Sequence, residues 1–293
     1  MIRRAQPWLG TLVEISVRDD ARSGDERGDH IGAAINAAFA AIALVHRRMS
    51  FHAPDSDVSA INRLAIGDSV VVDAATAEVL RCAGMLEDVS AGIFNLACGQ
   101  RLAAWGYLPQ PAAAGQTAPA LMLASTYAPH QPLPRAVIAL DAHDRVSRCG
   151  AGWIDLGGIA KGYAVDRAVA ALQAHSVANG CVNAGGDLRA FGQHGFTVSV
   201  RNPLDPTRVG RTLDVRNQAL ATSACYFSRR DIDGVAHSAL LNGTDGLPIV
   251  VDTSVSVQAP SCMLADGLTK IVMATGDPRH ALLAQFAATA FIL

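Results

Sequence analysis

The stretch IDLGGIAKGYAVDRA, residues 154–168, joins an apolar run to a helix-like run through an acid, a glycine pair and a lysine. Gly157 and Gly158 allow a tight turn and a close backbone approach to a ligand. Lys161 begins the predicted helix, where the positive end of the helix dipole disfavours a cation. A phosphate bound by the free amides of the helix would reverse that preference. The stretch therefore predicts an anion site, although a glycine-rich turn with a solvated lysine fits it equally well.

A second glycine pair, Gly185 and Gly186, precedes Asp187 in NAGGDLRAFG, residues 183–192. By itself this pattern is more typical of a bulge or a tight turn between strands. Two glycine pairs with nearby acids favour a shared ligand. Neither pair has the spacing of GxxxxGK[ST] or of GxGxxG after a strand, so the common nucleotide fingerprints do not apply.

The helix predicted in CMLADGLTKIVM, residues 262–273, carries Asp266 and Lys270 one turn apart. We expect the pair on the side of the helix that faces away from the core. The opposite side is apolar and consists of Met263, Leu264, Leu268, Ile271 and Val272. The pair is either an ordinary exposed ion pair or a carboxylate offered to a cation or a ligand.

Two histidines are candidates for chemistry. His237, in VAHSALLNGTDGLP, follows a strand-like segment and is a candidate general base. His52 follows Phe51 in a polar loop. Either residue is also compatible with ordinary polar surface.

The hydrophobic patterns alternate between the two periods of regular structure. Helices are predicted at residues 31–49, from an N-cap at Asp73 to Gly92, from the opening motif to about His175, and at residues 261–276. Strand patterns occur in TLVEISV, CVNAGGDLRAFG, FTVSVRNP, RTLDVRNQALATSA and SVSVQAP. Because strands and helices do not alternate regularly, the sequence predicts an α+β fold of mixed or antiparallel sheets with packed helices. A Pro/Ala-rich surface excursion is expected at about residues 109–134.

The net charge of −2 provides no general field for nucleic acid, so no nucleic-acid partner is expected. The six cysteines are scattered without a CxxC pair, which favours free thiols. The N-terminus passes directly into a strand pattern without a signal peptide. We therefore expect a cytoplasmic protein as the chain is given, or a periplasmic one if a leader was removed. We also expect no stretch that approaches the roughly 20 apolar residues of a membrane span.

These segments, in this order, resemble the ApbE family of FAD:protein FMN transferases. The resemblance runs over nearly the whole chain and includes LGTLVEISV, MSFHAPDSDVSAINR, FNLACGQRLAAWG, IDLGGIAKGYAVDRA, VNAGGDLRAFG, ATSACYF and SVSVQAPSCMLADGLTK. It implies a single domain over residues 1–293, with a fold related to the tunnelling fold and built of two interlocked halves with FAD between them. It also implies magnesium-dependent transfer of FMN from FAD to a Ser or Thr hydroxyl of an acceptor protein, with AMP leaving.

The resemblance also assigns roles to residues. Asp155 would hold FAD, and Lys161 would lie near the flavin nucleotide. The Gly158 carbonyl and Asp266 would bind the metal, and His237, Asp266 and Lys270 would form the catalytic edge. The remaining predicted FAD contacts are Leu9, His52, Asn95, Leu96, Ala97, Gly157, Gly185, Gly186 and Leu241.

The chain departs from the family pattern at the catalytic edge. His52 stands where the family has a Tyr that stacks on flavin, and Asn242 and Gly243 replace Asp and Pro. Lys270 replaces the metal-binding Thr, so an ammonium could take the place of magnesium. Three hypotheses follow: an FMN transferase, with Lys270 possible in place of the metal; a flavin-nucleotide-binding protein that has lost catalysis; and a pyrophosphatase that splits FAD into FMN and AMP.

Overall fold

A computed structural model of the chain describes residues 1–18, 25–110 and 131–293. Most of the predicted excursion at residues 109–134 lies outside these ranges. The helices of the described residues are α1 (Asp25–Met49), α2 (Asp57–Arg63), α3 (Ala74–Val89), α4 (Gly99–Ala104), α5 (Ala160–Ala174), α6 (Cys262–Thr275) and α7 (Leu282–Gln285). The strands are β1 (Ile2–Trp8), β2 (Thr11–Arg18), β3 (Ser69–Val71), β4 (Ile138–Leu140), β5 (Arg145–Arg148), β6 (Asn179–Ala184), β7 (Asp187–Phe191), β8 (Phe196–Arg201), β9 (Val209–Val215), β10 (Ala219–Ala224), β11 (Arg230–Ile232), β12 (Val235–His237), β13 (Ser254–Ala259) and β14 (Thr289–Ile292). The predicted α+β class is confirmed.

One seven-stranded sheet organises these elements, in the order β1-β2-β6-β7-β10-β13-β14. Every neighbouring pair in it is antiparallel. A three-stranded sheet, β3-β5-β4, and the hairpins β8-β9 and β11-β12 complete the strands of the described residues. The helices α5 and α6 pack on the large sheet, and α1 packs on α5.

Side chains alternate between the two faces of the large sheet, and different elements pack on each face. Val13, Ile15 and Val17 of β2 are fully buried in the main core, which the helices share. On the other face, Leu188 and Leu220 belong to a second, smaller cluster that also contains apolar residues of the β8-β9 hairpin. Helices therefore cover one face, and a strand hairpin covers the other.

By length and composition alone, the helix α1 is long and apolar enough over Asp29–Met49 to cross a membrane, which the sequence analysis did not expect. Ile35 and Ile42 of this helix are fully buried in the main core. The core helix of a globular protein can also satisfy a criterion of length and composition, because neither property shows what the apolar face of the helix contacts.

The predicted start of α3 at Asp73 is confirmed, but the helix ends at Val89 and not at the predicted Gly92. The predicted bounds of α6 are confirmed at both ends. The Asp73 side chain accepts a hydrogen bond from the Ala75 amide at 2.9 Å and caps α3. The Ser261 side chain accepts from the Leu264 amide at 3.3 Å and caps α6. The helix α6 ends at Gly276, whose φ of 66° is the left-handed conformation that favours glycine.

A close crossing of α5 and α6 depends on Gly162. A Cβ at this position would lie 2.2 Å from the Cys262 carbonyl oxygen and 2.9 Å from the Asp266 Cβ. The Gly162 amide donates to Asp266 Oδ2 at 3.1 Å. Asp166, one turn further along α5, accepts from the amides of Cys262 and Met263 at 3.0 and 2.9 Å. The side chain of one helix therefore caps the start of the other.

We predict that Gly162→Ala destabilises the protein by about 3 kcal/mol, because the new methyl meets backbone atoms that cannot rotate away. Gly84→Ala in α3 is the matched control, since a Cβ there meets no atom within 4 Å. The control should gain about 0.5 to 1 kcal/mol from helix propensity. Urea unfolding of the two variants measures both changes, and equal stabilities would contradict the close crossing.

Candidate functional site

A cavity of about 400 Å³ opens where α4, the start of α5, the end of β10 and Lys270 of α6 meet. Seven of the residues predicted as site residues contribute to its lining: Asn95, Asp155, Gly157, Gly158, Lys161, Leu241 and Lys270. The fold thus brings together residues from four separate stretches of the chain.

Other predicted site residues lie outside the lining. Leu9 is in the turn between β1 and β2, and His52 is exposed. The side chains of Leu96 and Ala97 are only 4% and 3% exposed, because both residues belong to the main core. His237 ends β12, and its ring packs edge-on against Trp105, with centroids 4.9 Å apart. The His237 Nδ1 lies 2.8 Å from the Val235 carbonyl oxygen.

The second glycine pair forms the turn between β6 and β7, where Ala184 pairs with Asp187. Gly185 and Gly186 both have positive φ, 66° and 108°, and the Asn183 side chain accepts from the Gly186 amide at 2.9 Å. This is the tight-turn alternative of the sequence analysis. The glycines themselves do not line the cavity, but the turn directs Asp187 towards Lys161.

The Lys161 ammonium forms an ion pair with the Asp187 carboxylate, whose side chain is only 2% exposed. Burial alone would lower the pKa of Lys161, but the carboxylates of Asp187 and Asp266 outweigh it and raise that pKa above its ordinary value. A cation is therefore stable at the start of α5 even before any ligand binds. The sequence predicted a negative partner for Lys161, and the structure supplies a carboxylate.

Asp155 begins the glycine turn and has no such cationic partner in direct contact. Its Oδ2 accepts from the Gly157 amide at 3.0 Å. Burial raises the pKa of Asp155, while the hydrogen bond from Gly157 and the nearby His52 oppose that rise. Asp155 is half-buried and lines the cavity, so its carboxylate is available to a ligand that donates hydrogen bonds.

The expectation that Asp266 and Lys270 lie on the side of α6 away from the core is wrong. The Asp266 side chain is 0% exposed and that of Lys270 is 14% exposed. The helix packs against both α5 and β10, so residues on more than one side of it are covered. The ammonium of Lys270 pairs with Asp266 Oδ1 and also donates to Thr269 Oγ1 at 3.2 Å. Asp266 is therefore buried, and Lys270 is partly buried at the wall of the cavity.

This arrangement does not fit the magnesium site that the family resemblance implies. Both carboxylate oxygens of Asp266 already accept hydrogen bonds, Oδ2 from the Gly162 amide and Oδ1 from Lys270. The described residues contain no group of three or more His, Cys, Asp or Glu placed to hold a metal ion. A divalent ion at Asp266 would have to displace an ammonium.

Sequence reasoning missed the hydroxyl and apolar walls of the cavity. Ser223 and Thr222 of β10 line it, and Ser223 shares a 2.7 Å hydrogen bond with Thr269, which contacts Lys270. The apolar wall contains Phe94 and Tyr107. The segment ATSACYF, which carries part of the family resemblance, overlaps β10 and could have indicated that this strand belongs to the site. No local pattern showed which of its side chains face the cavity.

Comparisons with known proteins agree with this fold. Residues 9–292 match the family model described as the ApbE family. A Treponema pallidum protein named FAD:protein FMN transferase is 28% identical over 300 residues, which cover 97% of this chain and 81% of that protein. A Vibrio cholerae protein of the same name is 28% identical over 254 residues, covering 82% of this chain and 73% of that protein.

Comparison with solved structures indicates the same fold. The crystal structure of the ApbE protein from Thermotoga maritima matches with a TM-score of 0.80 and 25% identity, covering 99% of this chain and 93% of that one. The chain is thus an α+β protein with the fold of these structures. By the match of the family model over almost its whole length, it belongs to the ApbE family.

We predict that Asp155→Asn raises the free energy of unfolding at pH 8. A carboxyl whose folded-state pKa is raised stabilises the fold most below its unfolded-state pKa of about 4, and this contribution is lost as the pH rises through the folded-state value. Asparagine has no charge to be desolvated, and its side-chain oxygen can still accept the hydrogen bond from the Gly157 amide. The stability difference between variant and wild type should therefore shrink towards pH 4 in urea titrations.

Asp166→Asn is the matched control, because burial also raises the pKa of Asp166. Here both carboxylate oxygens accept backbone hydrogen bonds and one also pairs with Arg189 at 2.7 Å. An amide nitrogen in place of one oxygen would face a donor, so this variant should lose about 1.5 to 3 kcal/mol. If Asp155→Asn instead lowers the free energy of unfolding at pH 8, the Asp155 carboxylate has a stabilising partner in the folded protein and the prediction is wrong.

Proposed function

We propose that the protein transfers FMN from FAD to a Ser or Thr hydroxyl of an acceptor protein and releases AMP. Membership of the ApbE family supports this reaction, as do the relatives named FAD:protein FMN transferase. The observation that carries it is the single cavity that joins the glycine turn at Gly157 and Gly158 to the ammonium groups of Lys161 and Lys270.

The proposed reaction is an in-line displacement at the FMN phosphorus. The acceptor oxygen forms a bond to that phosphorus as the bond to the bridging diphosphate oxygen breaks, and AMP leaves with the bridging oxygen. The hydroxyl proton passes to solvent or to AMP. Charge accumulates on the phosphoryl and leaving oxygens, and the Lys161 ammonium at the cavity wall stabilises it. The carboxylate of Asp155 offers acceptor atoms to the polar edges of the flavin nucleotide.

Lys270 takes the place of the metal in this proposal. Its ammonium already pairs with the carboxylate of Asp266. An ammonium and a divalent ion about 4 Å apart would repel by about 8 kcal/mol at an effective dielectric near 20, twice the value for two unit charges. The ammonium carries one charge rather than two, so the diphosphate is less fully neutralised than beside a divalent ion. We therefore expect slower transfer than in a relative that binds magnesium.

The same ion pair favours a second candidate, a flavin-nucleotide-binding protein without transfer activity. A third candidate is a pyrophosphatase in which water replaces the acceptor. One assay separates the three. The protein is incubated with FAD and an extract of its source cells, and covalent flavin on extract proteins is then measured on a denaturing gel, with AMP and FMN by chromatography.

The transferase yields AMP together with flavin bound covalently to an extract protein. The pyrophosphatase yields AMP and free FMN in equal amounts without labelled protein. Binding of FAD without either product supports the binding protein, and absence of FAD binding contradicts all three candidates.

We predict that removing the ammonium of Lys161 weakens FAD binding by about 1.5 to 3 kcal/mol, as expected for a charge-assisted hydrogen bond. The variant is Lys161→Gln with Asp187→Asn, which leaves no buried carboxylate unpaired and keeps the net charge. Titration calorimetry with FAD measures the loss. Riboflavin, which has no phosphate, is the matched ligand: its affinity should not change, and an equal loss for both ligands would contradict the diphosphate contact.

We predict that Lys270→Thr gives the protein a magnesium affinity that the wild type lacks. The substitution frees one Asp266 oxygen and adds a hydroxyl, both of which suit a hard cation. Magnesium at 100 times its dissociation constant should then stabilise the variant by about 2.7 kcal/mol, measured by urea unfolding with and without the ion. Lys270→Met is the control, because it removes the ammonium without adding an oxygen ligand.

A saturable stabilisation of the wild type by magnesium would contradict the replacement of the metal by Lys270. If Lys270→Met gains as much as Lys270→Thr, the threonine hydroxyl is not a ligand. Activity of the Lys270→Thr variant in the extract assay then shows whether the restored ion also accelerates transfer.

A further inference from the structure

A second cavity, of about 350 Å³, lies at the protein surface and is lined by Leu204 and Phe227. These residues have the two most exposed large apolar side chains among the described residues, at 78% and 75%. Pro203, Pro206 and Tyr226 also line it. We call this surface the Phe227 cleft. Large exposed apolar groups that share one concave surface are typical of a binding site.

The Phe227 cleft adjoins the cavity of about 400 Å³ described above, which we call the FAD cavity, at one turn of the chain. Ala224, the last residue of β10, and Ser228 line the FAD cavity, while Tyr226 and Phe227 between them line the cleft. A hydrogen bond holds each end of this turn. The buried Cys225 thiol donates to the Ile249 carbonyl at 3.0 Å, and the Ser228 carbonyl accepts from the Tyr107 hydroxyl at 2.7 Å.

The cleft is also preorganised. The rings of Tyr226 and Phe227 pack edge-on, with centroids 4.5 Å apart, and the Arg201 guanidinium lies 5.6 Å from the Phe227 centroid. Arg229 at the rim pairs with Asp252 at 2.8 Å and donates to the Val251 carbonyl at 3.1 Å. An apolar centre with a charged rim is the anatomy of a protein interface.

We infer that the Phe227 cleft binds the acceptor protein, as an extended segment that inserts an apolar side chain between Leu204 and Phe227. The inference rests on the proposed function, because that reaction requires a protein hydroxyl to enter the cavity beside Ser228. A segment that does so must cross the adjoining surface.

The test uses Phe227→Ser and Leu204→Ser, with Ile66→Ser as the matched control. Ile66 is also largely exposed, at 66%, but it lines neither cavity. All three substitutions are at the surface, so the variants should fold. The probe is the extract of source cells with FAD, and covalent flavin is measured at a series of extract dilutions. Intrinsic FAD affinity is measured separately by quenching of flavin fluorescence.

We expect Phe227→Ser and Leu204→Ser to raise the extract concentration for half-maximal labelling about tenfold, as for the central residues of an interface. Their FAD affinity should stay within about twofold of the wild type, and Ile66→Ser should behave as the wild type. Unchanged half-saturation in both cleft variants would overturn the inference. So would a parallel loss of FAD affinity, because the cleft would then belong to the FAD site.

Two further outcomes are decisive. If the wild type sediments as a dimer that Phe227→Ser dissociates, the cleft binds a second copy of the chain and the inference is wrong. If the wild type binds FAD but labels no extract protein, the proposed transfer fails and the acceptor surface fails with it. Labelling by the wild type with normal labelling by both cleft variants leaves the transferase intact and overturns only the docking surface.

Discussion

The close contact between Gly162 and the Cys262 carbonyl is the constraint on which the rest of the site depends. Only a residue without a Cβ allows α5 and α6 to cross at this distance. Two carboxylates secure the crossing: Asp266 accepts from the Gly162 amide, and Asp166 caps the start of α6. These backbone contacts set the position of α6 against the glycine turn that precedes α5. The cavity of about 400 Å³ lies at the end of this crossing.

The crossing concentrates charge in a small buried volume. Lys161 pairs with Asp187 and Lys270 pairs with Asp266, while Asp155 remains without a directly bonded cation. The two lysines therefore carry their own counter-ions inside the protein, and a ligand phosphate must compete with carboxylates for them. Such buried pairs add little net stability, because desolvation offsets much of their attraction. What the pairs do provide is the position of two ammonium groups at a cavity wall.

In the proposed function, a lysine in place of a metal ligand changes the chemistry of the site in a specific way. An ammonium supplies a single charge with three hydrogen-bond donors, and it cannot serve as a Lewis acid. In this chain Lys270 satisfies Asp266, which would otherwise be a buried carboxylate with an unused oxygen. The Lys270 ammonium thus lies at the Asp266 oxygen that a divalent ion would need. The helix crossing depends on the contact of Asp266 with the Gly162 amide, whereas the proposed change in chemistry depends on its contact with Lys270.

The sequence by itself determined the elements, the two glycine turns and the family. The period of its apolar residues predicted the long helices, Asp73 and Gly276 marked helix ends, and the motif at Lys161 required a negative partner. It did not determine that the partner is Asp187, that Asp266 is buried and Lys270 partly buried, or that His237 packs on Trp105 away from the cavity lining. Those facts were decided by the tertiary structure alone. A helical period shows which residues share a face, but only the packing of distant segments decides whether that face meets water, another helix or a ligand.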